Sequence, residues 1–265
     1  MCIRDSFPEL ALLDAPPQDI PLDIIYEDRW IVAVNKPPNM VVHPSRGHQT
    51  GTLVNALAHH FEHLSEVSGP LRAGIVHRLD RDTSGVILVV KDDRVHEEIA
   101  RQFEQRNVQK EYLAVCEGRL ELDSDLIDLP IGRHRRNRLK MAVGGLKART
   151  AQTVYEVAER PGNFSVVRCF PRTGRTHQIR VHFHALRHPI VADALYGRRG
   201  RLYESDLTGR EHQPDEAPLI SRQALHARRL TIEHPVRGGR LTFEAPAPED
   251  IRRLLDALRE HGAYS

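Results

Sequence analysis

Short apolar runs rich in β-branched residues recur along the chain, punctuated by Gly, Pro and charged clusters, and few stretches keep a helical period. Residues 22–26 and 30–35 are such runs, and Glu27-Asp28-Arg29 between them predicts a hairpin. Residues 86–90 read Val-Ile-Leu-Val-Val behind Gly85, the pattern of a strand buried on both faces. Residues 108–116, 148–157, 164–170, 230–234 and 240–244 read as further strands, with Pro161-Gly162-Asn163 turning the second into the third. Helical spacing appears in 52–64 with Thr52 as cap, in 92–106 with Asp92 as cap, and in 248–261. Another helix is expected to start from a Thr176 cap and run to about Arg187, while 198–217 loses periodicity and predicts a flexible loop. Many strands with few helices imply an α+β fold.

Composition adds limits. The 265 residues are 40% hydrophobic and 28% charged, enough for a sizeable core and ordinary for a soluble globular protein. No run approaches a membrane span, and the first residues lack the apolar core of a signal peptide. Cys2, Cys116 and Cys169 are far apart and make no disulfide or metal pattern, so a reducing cytoplasm is expected. The net charge of +2 hides an asymmetry: residues 133–201 hold sixteen Lys or Arg against three acids. Such a concentration predicts a phosphate-binding face on an acidic body, unless the arginines scatter over several faces.

The candidate chemistry centres on His77-Arg78-Leu79-Asp80-Arg81-Asp82-Thr83-Ser84-Gly85, a polar loop entering the buried strand. Arg78 and Arg81 beside Asp80 are expected to keep it ionised, and an ionised aspartate on a rigid turn can serve as nucleophile or general base. Spacing alone fits a surface turn of weak ion pairs as well. A glycoside-cleaving pair, Asp80 with Asp82, would need both carboxylates in one cleft at about 5–10 Å, and side chains two apart in a turn need not converge.

These nine residues resemble the signature of RluA-type RNA pseudouridine synthases, most nearly the RluD-like branch that modifies large-subunit ribosomal RNA. Lys110-Glu111-Tyr112, the basic stretch after Asp128-Leu129-Pro130-Ile131-Gly132-Arg133, Arg172-Thr173-Gly174-Arg175-Thr176-His177-Gln178-Ile179-Arg180-Val181-His182, the run 188–197 and Arg222-Gln223-Ala224-Leu225-His226-Ala227 follow in the family's order. The resemblance implies one catalytic domain over 21–265, a pseudouridine-synthase-like mixed, mainly antiparallel β-sheet with flanking helices and loops around a central cleft. Residues 1–20 are expected to be an N-terminal arm; the S4-type RNA-binding domain that many relatives carry upstream is absent from this sequence, either lacking from the protein or cut off in a truncated form.

The same resemblance implies site-specific conversion of uridine to pseudouridine in RNA, ribosomal or alternatively transfer RNA, by a monomer that needs no cofactor or metal. Asp80 would be the essential carboxylate, by nucleophilic attack or by proton abstraction. Tyr112 would lie against the target base, Arg180 would pair with Asp80, and Leu225 would pack beneath the site. Arg78, Arg81, Arg133, Arg135, Arg136, Arg138, Lys140, Arg175 and His177 are the expected RNA contacts, with Arg78 holding the space left by a flipped uridine. His177, Arg180 and His184 should share a helix face. Lys36 fits an RNA contact, but an exposed lysine after a strand is more often just solvated. Zinc at His177, His182, His184 and His188 is disfavoured, because these positions do not all share a face. A catalytically silent RNA-binding module is the alternative from another class, and the joint presence of Asp80, Tyr112 and Arg180 argues against it.

Overall fold

The computed structural model describes residues 15–44 and 48–262. The expected hairpin forms as β1 (Ile24–Glu27) and β2 (Ile31–Lys36), paired antiparallel, and β2 pairs antiparallel with β3 (Ser84–Val90). All of β3 is buried, as its unbroken apolar run requires. Ile87 and Val89 pack with Val34, Leu53 and Leu57 in one layer, whereas Val86, Leu88 and Val90 pack with Val95, Ile99 and Phe243 in another. Alternate side chains thus serve opposite faces, and the first layer includes α1 (Leu53–His60), the second α2 (Asp93–Glu104). Thr52 and Asp92 cap these helices as expected, although α1 stops at His60 rather than continuing to Leu64.

The chain then lays down β4 (Gln109–Glu117) and β5 (Ser124–Asp128), followed by β6 (Ile131–Arg133), β7 (Met141–Val143) and β8 (Leu146–Arg149), which form a small sheet of their own. It returns to the main sheet with β9 (Gln152–Glu159), β10 (Phe164–Pro171), β11 (Leu225–Glu233) and β12 (Arg240–Glu244). Among the described residues nine strands form that main sheet, ordered β1-β2-β3-β11-β4-β10-β9-β5, with β12 on β11. Its pairs are antiparallel except β3 with β11. That parallel contact needs Gly85: its φ is +113°, and a Cβ there would meet the Ala227 carbonyl oxygen at 2.2 Å.

Three expectations change. The helix after β10 is α3 (Gln178–Ala185), and His177, in left-handed backbone at φ +56°, stands at its N-cap in place of Thr176. The reason is Gln178, buried, whose Oε1 accepts from Thr173 Oγ1 and the Arg175 amide and whose Nε2 donates to the Gln152 carbonyl and Thr153 Oγ1. It pulls the preceding loop back over the helix start. Residues 198–217 contain a short helix α4 (Glu204–Thr208), and Leu202 bridges to Ile220. Residues 1–14 of the expected arm lie outside the described residues, but Pro16 accepts from Asn55 Nδ2 and Ala15 is buried in the α1 layer, so 15–20 pack on the domain. The helix α5 (Glu249–Gly262) closes the chain.

Candidate active site

A cleft of about 560 Å³ opens beside the loop that carries Asp80, and Arg78, Tyr112, Arg175, His177, Arg180 and Leu225 line it with the aspartate. Its size is that of an ordinary small-ligand site. The loop is held by its backbone. The Thr83 amide donates to the Asp80 carbonyl, Lys36 Nζ donates to the Arg81 carbonyl at 2.9 Å, and Arg222 Nη1 donates to the Asp82 carbonyl at 2.9 Å. Leu79 is buried in the α1 layer, and behind the loop Ser84 Oγ meets both Arg222 and His226. Three consecutive carbonyls are therefore engaged, so Asp80 leaves a turn with little freedom.

Asp80 receives one strong bond: Arg180 Nη1 donates to Oδ2 at 2.8 Å. The other donors of Arg180, Nε and Nη2, go to Asp193 at 2.6 and 2.8 Å in a bidentate pair. The Asp193 side chain has no exposure and also accepts from the Leu195 and Tyr196 amides. Burial opposes the guanidinium charge, but the two carboxylates outweigh it and raise its pKa. Arg180 lies 5.2 Å from the centroid of the Tyr196 ring, which His177 and His184 also touch, so His177, Arg180 and His184 do gather on one side of α3. The Tyr196 hydroxyl accepts from the Met141 amide and meets His177 Nδ1 at 2.8 Å. His177 Nε2 lies 4.0 Å from Asp80, and burial pushes its pKa down, so the imidazole stands neutral beside the carboxylate.

Tyr112 sits in the middle of the sheet, opposite Cys169 on β10 and Ala227 on β11. Burial, and then the Asp80 charge, raise its phenol well above the ordinary value, which keeps it a neutral, flat surface carrying one hydroxyl. Leu225, 4% exposed, completes the floor. His77, the first residue of the loop, accepts the Leu88 amide on Nε2 at 2.8 Å and stacks on Phe103. Burial lowers its pKa to about 3, so its task is to fix the loop's entry as a neutral ring.

The structure redistributes several expected contacts. Arg78 and Arg81 are not the cations that pair with Asp80; Arg180 is, because Arg81 turns to Asp82 at 3.0 Å and lies off the cleft lining. Asp82, held by that pair, is not a lining residue either, which removes the two-carboxylate arrangement. Arg78, Arg175 and His177 do line the cleft. Arg133, Arg135, Arg136 and Arg138 are exposed around the small sheet and stand outside it, while Lys140 lies 5.9 Å from the Tyr196 ring and joins that sheet to the site. Not all the basic segment is one free face: Arg160, Arg168, Arg198 and Arg199 are paired with Asp123, Glu156, Glu117 and Asp206. His182 is buried between Thr153 Oγ1 and the Leu129 carbonyl, and His188 meets the Glu117 carbonyl, so these imidazoles do not gather with His177 and His184.

Sequence reasoning missed three groups. Lys36 is neither solvated nor placed to reach RNA: it is wholly buried and spends its three N–H bonds on the Pro37, Met40 and Arg81 carbonyls. Burial lowers its pKa to about 7 against the opposing pull of Asp82 and Asp80. Arg222 ties the loop to α5 through Asp250 at 2.6 and 2.9 Å. Asp193 alone carried a usable signal, being the one acid in the apolar run Ile190-Val191-Ala192-Asp193-Ala194-Leu195.

A family model for RNA pseudouridylate synthase matches residues 30–185. The uncharacterized RNA pseudouridine synthase YlyB of Bacillus subtilis (strain 168) is 43% identical over 257 residues, covering 97% of this chain and 79% of its own. The ribosomal large subunit pseudouridine synthase D of Vibrio parahaemolyticus is 45% identical over 244 residues, 92% of this chain and 72% of that protein. Human RNA Pseudouridylate Synthase Domain Containing 4 superposes with a TM-score of 0.66 at 27% identity, over 89% of this chain and 92% of that one. The fold, the Asp80–Arg180 site and these relatives agree: the chain belongs to the RNA pseudouridylate synthase family.

Proposed function

We propose that the chain converts uridine to pseudouridine in structured RNA, with large-subunit ribosomal RNA as its substrate and Asp80, Tyr112 and Arg180 as the working residues. The observation that carries this reading is the Asp80 carboxylate, held at 2.8 Å by Arg180 at a cleft whose wall is Tyr112 and whose floor is Leu225. The ribosomal target is supported by relatives named ribosomal large subunit pseudouridine synthase D at 42–45% identity.

The reaction is an isomerisation. The bond from the ribose C1′ to uracil N1 breaks, the base turns, C5 bonds to C1′, and the C5 proton departs to solvent while N1 gains one. Asp80 serves either by attack on the nucleotide or by removing a sugar proton, and in both routes Arg180 orients the carboxylate. The target base must leave its stack to enter, and Tyr112 offers it a flat face. Arg78, exposed at the rim, holds the vacated space. A ribosomal substrate suits the cytoplasm.

The test is pseudouridine mapping of ribosomal and transfer RNA from cells with and without the gene, complemented by wild type or Asp80→Asn. Loss of large-subunit sites restored by wild type alone is expected. Sites lost only in transfer RNA would overturn the target, and restoration by Asp80→Asn would overturn the role of the carboxylate.

A further inference from the structure

Four cations that the motifs do not explain as a group stand on the cleft with Asp80. They are Arg106 just beyond α2, Lys110 at the start of β4, Arg149 at the end of β8, and Arg175 in the loop before α3. Among the described residues none of them pairs with a carboxylate, although exposed arginines elsewhere do, as Arg101 does with Glu98, Arg229 with Glu111 and Glu244, and Arg259 with Glu159. Glu104, the other acid on the lining besides Asp80, pairs with none of the four. Their charges act on one another: Arg106 weighs on Lys110, and Arg149 and Arg106 weigh on Arg175. Among the described residues only Arg175 has a protein acceptor for its side chain, the Thr150 carbonyl at 3.1 Å.

Like charges gathered at a partly enclosed site are unfavourable while it is empty, and an anion that bridges them recovers that cost. The half-buried Lys110 makes the point locally, since burial and then Arg106 lower its amine to about 8. Three stretches remote in sequence, 106–110, 149 and 175, contribute to the cluster, so no single helix or hairpin explains it as a solvated face. Arg135, Arg136 and Arg138, by contrast, lie off the lining.

Resting on the reading that the cleft takes an RNA uridine, we propose that Arg106, Lys110, Arg149 and Arg175 form a binding site for the backbone phosphates on either side of the target nucleotide. The cleft then grips its substrate by phosphate as well as by base, and the phosphates close to the reacting sugar are held apart from those met by the outer basic loop.

Small ligands separate the two. Uridine and uridine 3′,5′-bisphosphate are each used to displace a fluorescent RNA stem-loop from the full chain. With wild type the bisphosphate competes at concentrations about tenfold or more below uridine, the scale of one added charge-assisted contact or more. R106Q/R149Q changes two exposed side chains and leaves the core intact; it reduces that preference to about threefold or less and lowers the salt slope of RNA binding by about 1.4 to 1.8. K110M shifts both readouts in the same direction, and K110R restores them. R135Q/R136Q/R138Q weakens RNA binding yet keeps the bisphosphate preference. A wild type that makes pseudouridine but shows no preference, or an R106Q/R149Q variant that keeps it, overturns this site while leaving the isomerase reading in place. A wild type that makes no pseudouridine overturns the reading itself.

Discussion

Lys36, Arg180 and Arg222 are buried and bonded to oxygens of the protein, whereas the side chains of Arg135, Arg136 and Arg138 are exposed and have no bonded partner among the described residues. Both sets are cationic, but they use charge differently. A buried cation loses hydration, so it is retained only where bonds fix it in place, and in return it fixes what it bonds. An exposed cation keeps its water and its rotamers until a polyanion displaces counterions. Under the proposed function the first set therefore fixes geometry, and the second sets affinity. Substitutions that move only one of the two quantities test that division.

The largest effect is expected at Arg180. Arg180→Ala strands the fully buried Asp193 carboxylate, and loss of one partner from a buried pair costs about 3–5 kcal/mol. Urea denaturation will show that loss. Arg180→Lys keeps a charge but cannot span both carboxylates, so kcat should fall about a hundredfold or more while the Kd for RNA changes less than about threefold. A variant that loses affinity and keeps kcat would place Arg180 with the solvated cations and break the comparison.

Lys36→Met comes next. It removes a donor from each of the Pro37, Met40 and Arg81 carbonyls, of which the Met40 bond is buried and the Arg81 carbonyl keeps the Met40 amide at 3.2 Å, and an unsatisfied buried acceptor costs about 1–3 kcal/mol. A roughly tenfold lower kcat with unchanged RNA affinity is expected. The pH dependence gives an independent check. Because folding lowers this lysine to about 7, the unfolded chain binds the extra proton between about pH 7 and the ordinary lysine value. Wild-type stability relative to Lys36→Met should therefore rise with pH across that window, by at most about 1.4 kcal/mol per unit. A flat or falling difference would mean that Lys36 keeps its full charge when folded.

The division also marks what the sequence could reveal. Period and run length located β2, β3, α2, β9, β10 and α5, because each buries a regular stripe or both faces. They could not locate β6, β7 and β8, which are three or four residues long, too short for a period to show: β6 buries Ile131 and Gly132, β7 is half-buried and β8 is exposed throughout. Nor could they place β11 between β3 and β4: Ala227 meets Gly85 from 142 residues away, and pairing at that range leaves no local trace. Within the site, Asp80, Tyr112 and Arg180 were readable through motifs, and the structure brings them to one cleft. Lys36 was not, because a lysine before Pro37-Pro38 looks the same in sequence whether the turn buries or exposes it. Arg81 misled for the converse reason: adjacency to Asp80 suggested a partner, but neighbouring side chains in a turn diverge, and the pair came from 100 residues away.

The smallest effect, and the one that isolates the second set, is expected from R135Q/R136Q/R138Q. These side chains are exposed, so thermal stability should change by less than about 0.5 kcal/mol. Each cation withdrawn from a phosphate flattens the slope of log affinity against log salt by about 0.7–0.9, so the triple variant should flatten it by about 2 to 3 if all three meet RNA. Single-turnover kcat at saturating RNA should stay within about twofold of wild type, since none of these residues lines the cleft. A kcat loss that persists at saturation would mean that the small sheet orders the site through Met141, whose amide bonds the Tyr196 hydroxyl behind Arg180. Affinity and geometry would then share one structural element, and the separation between buried and exposed cations would fail at that hydroxyl.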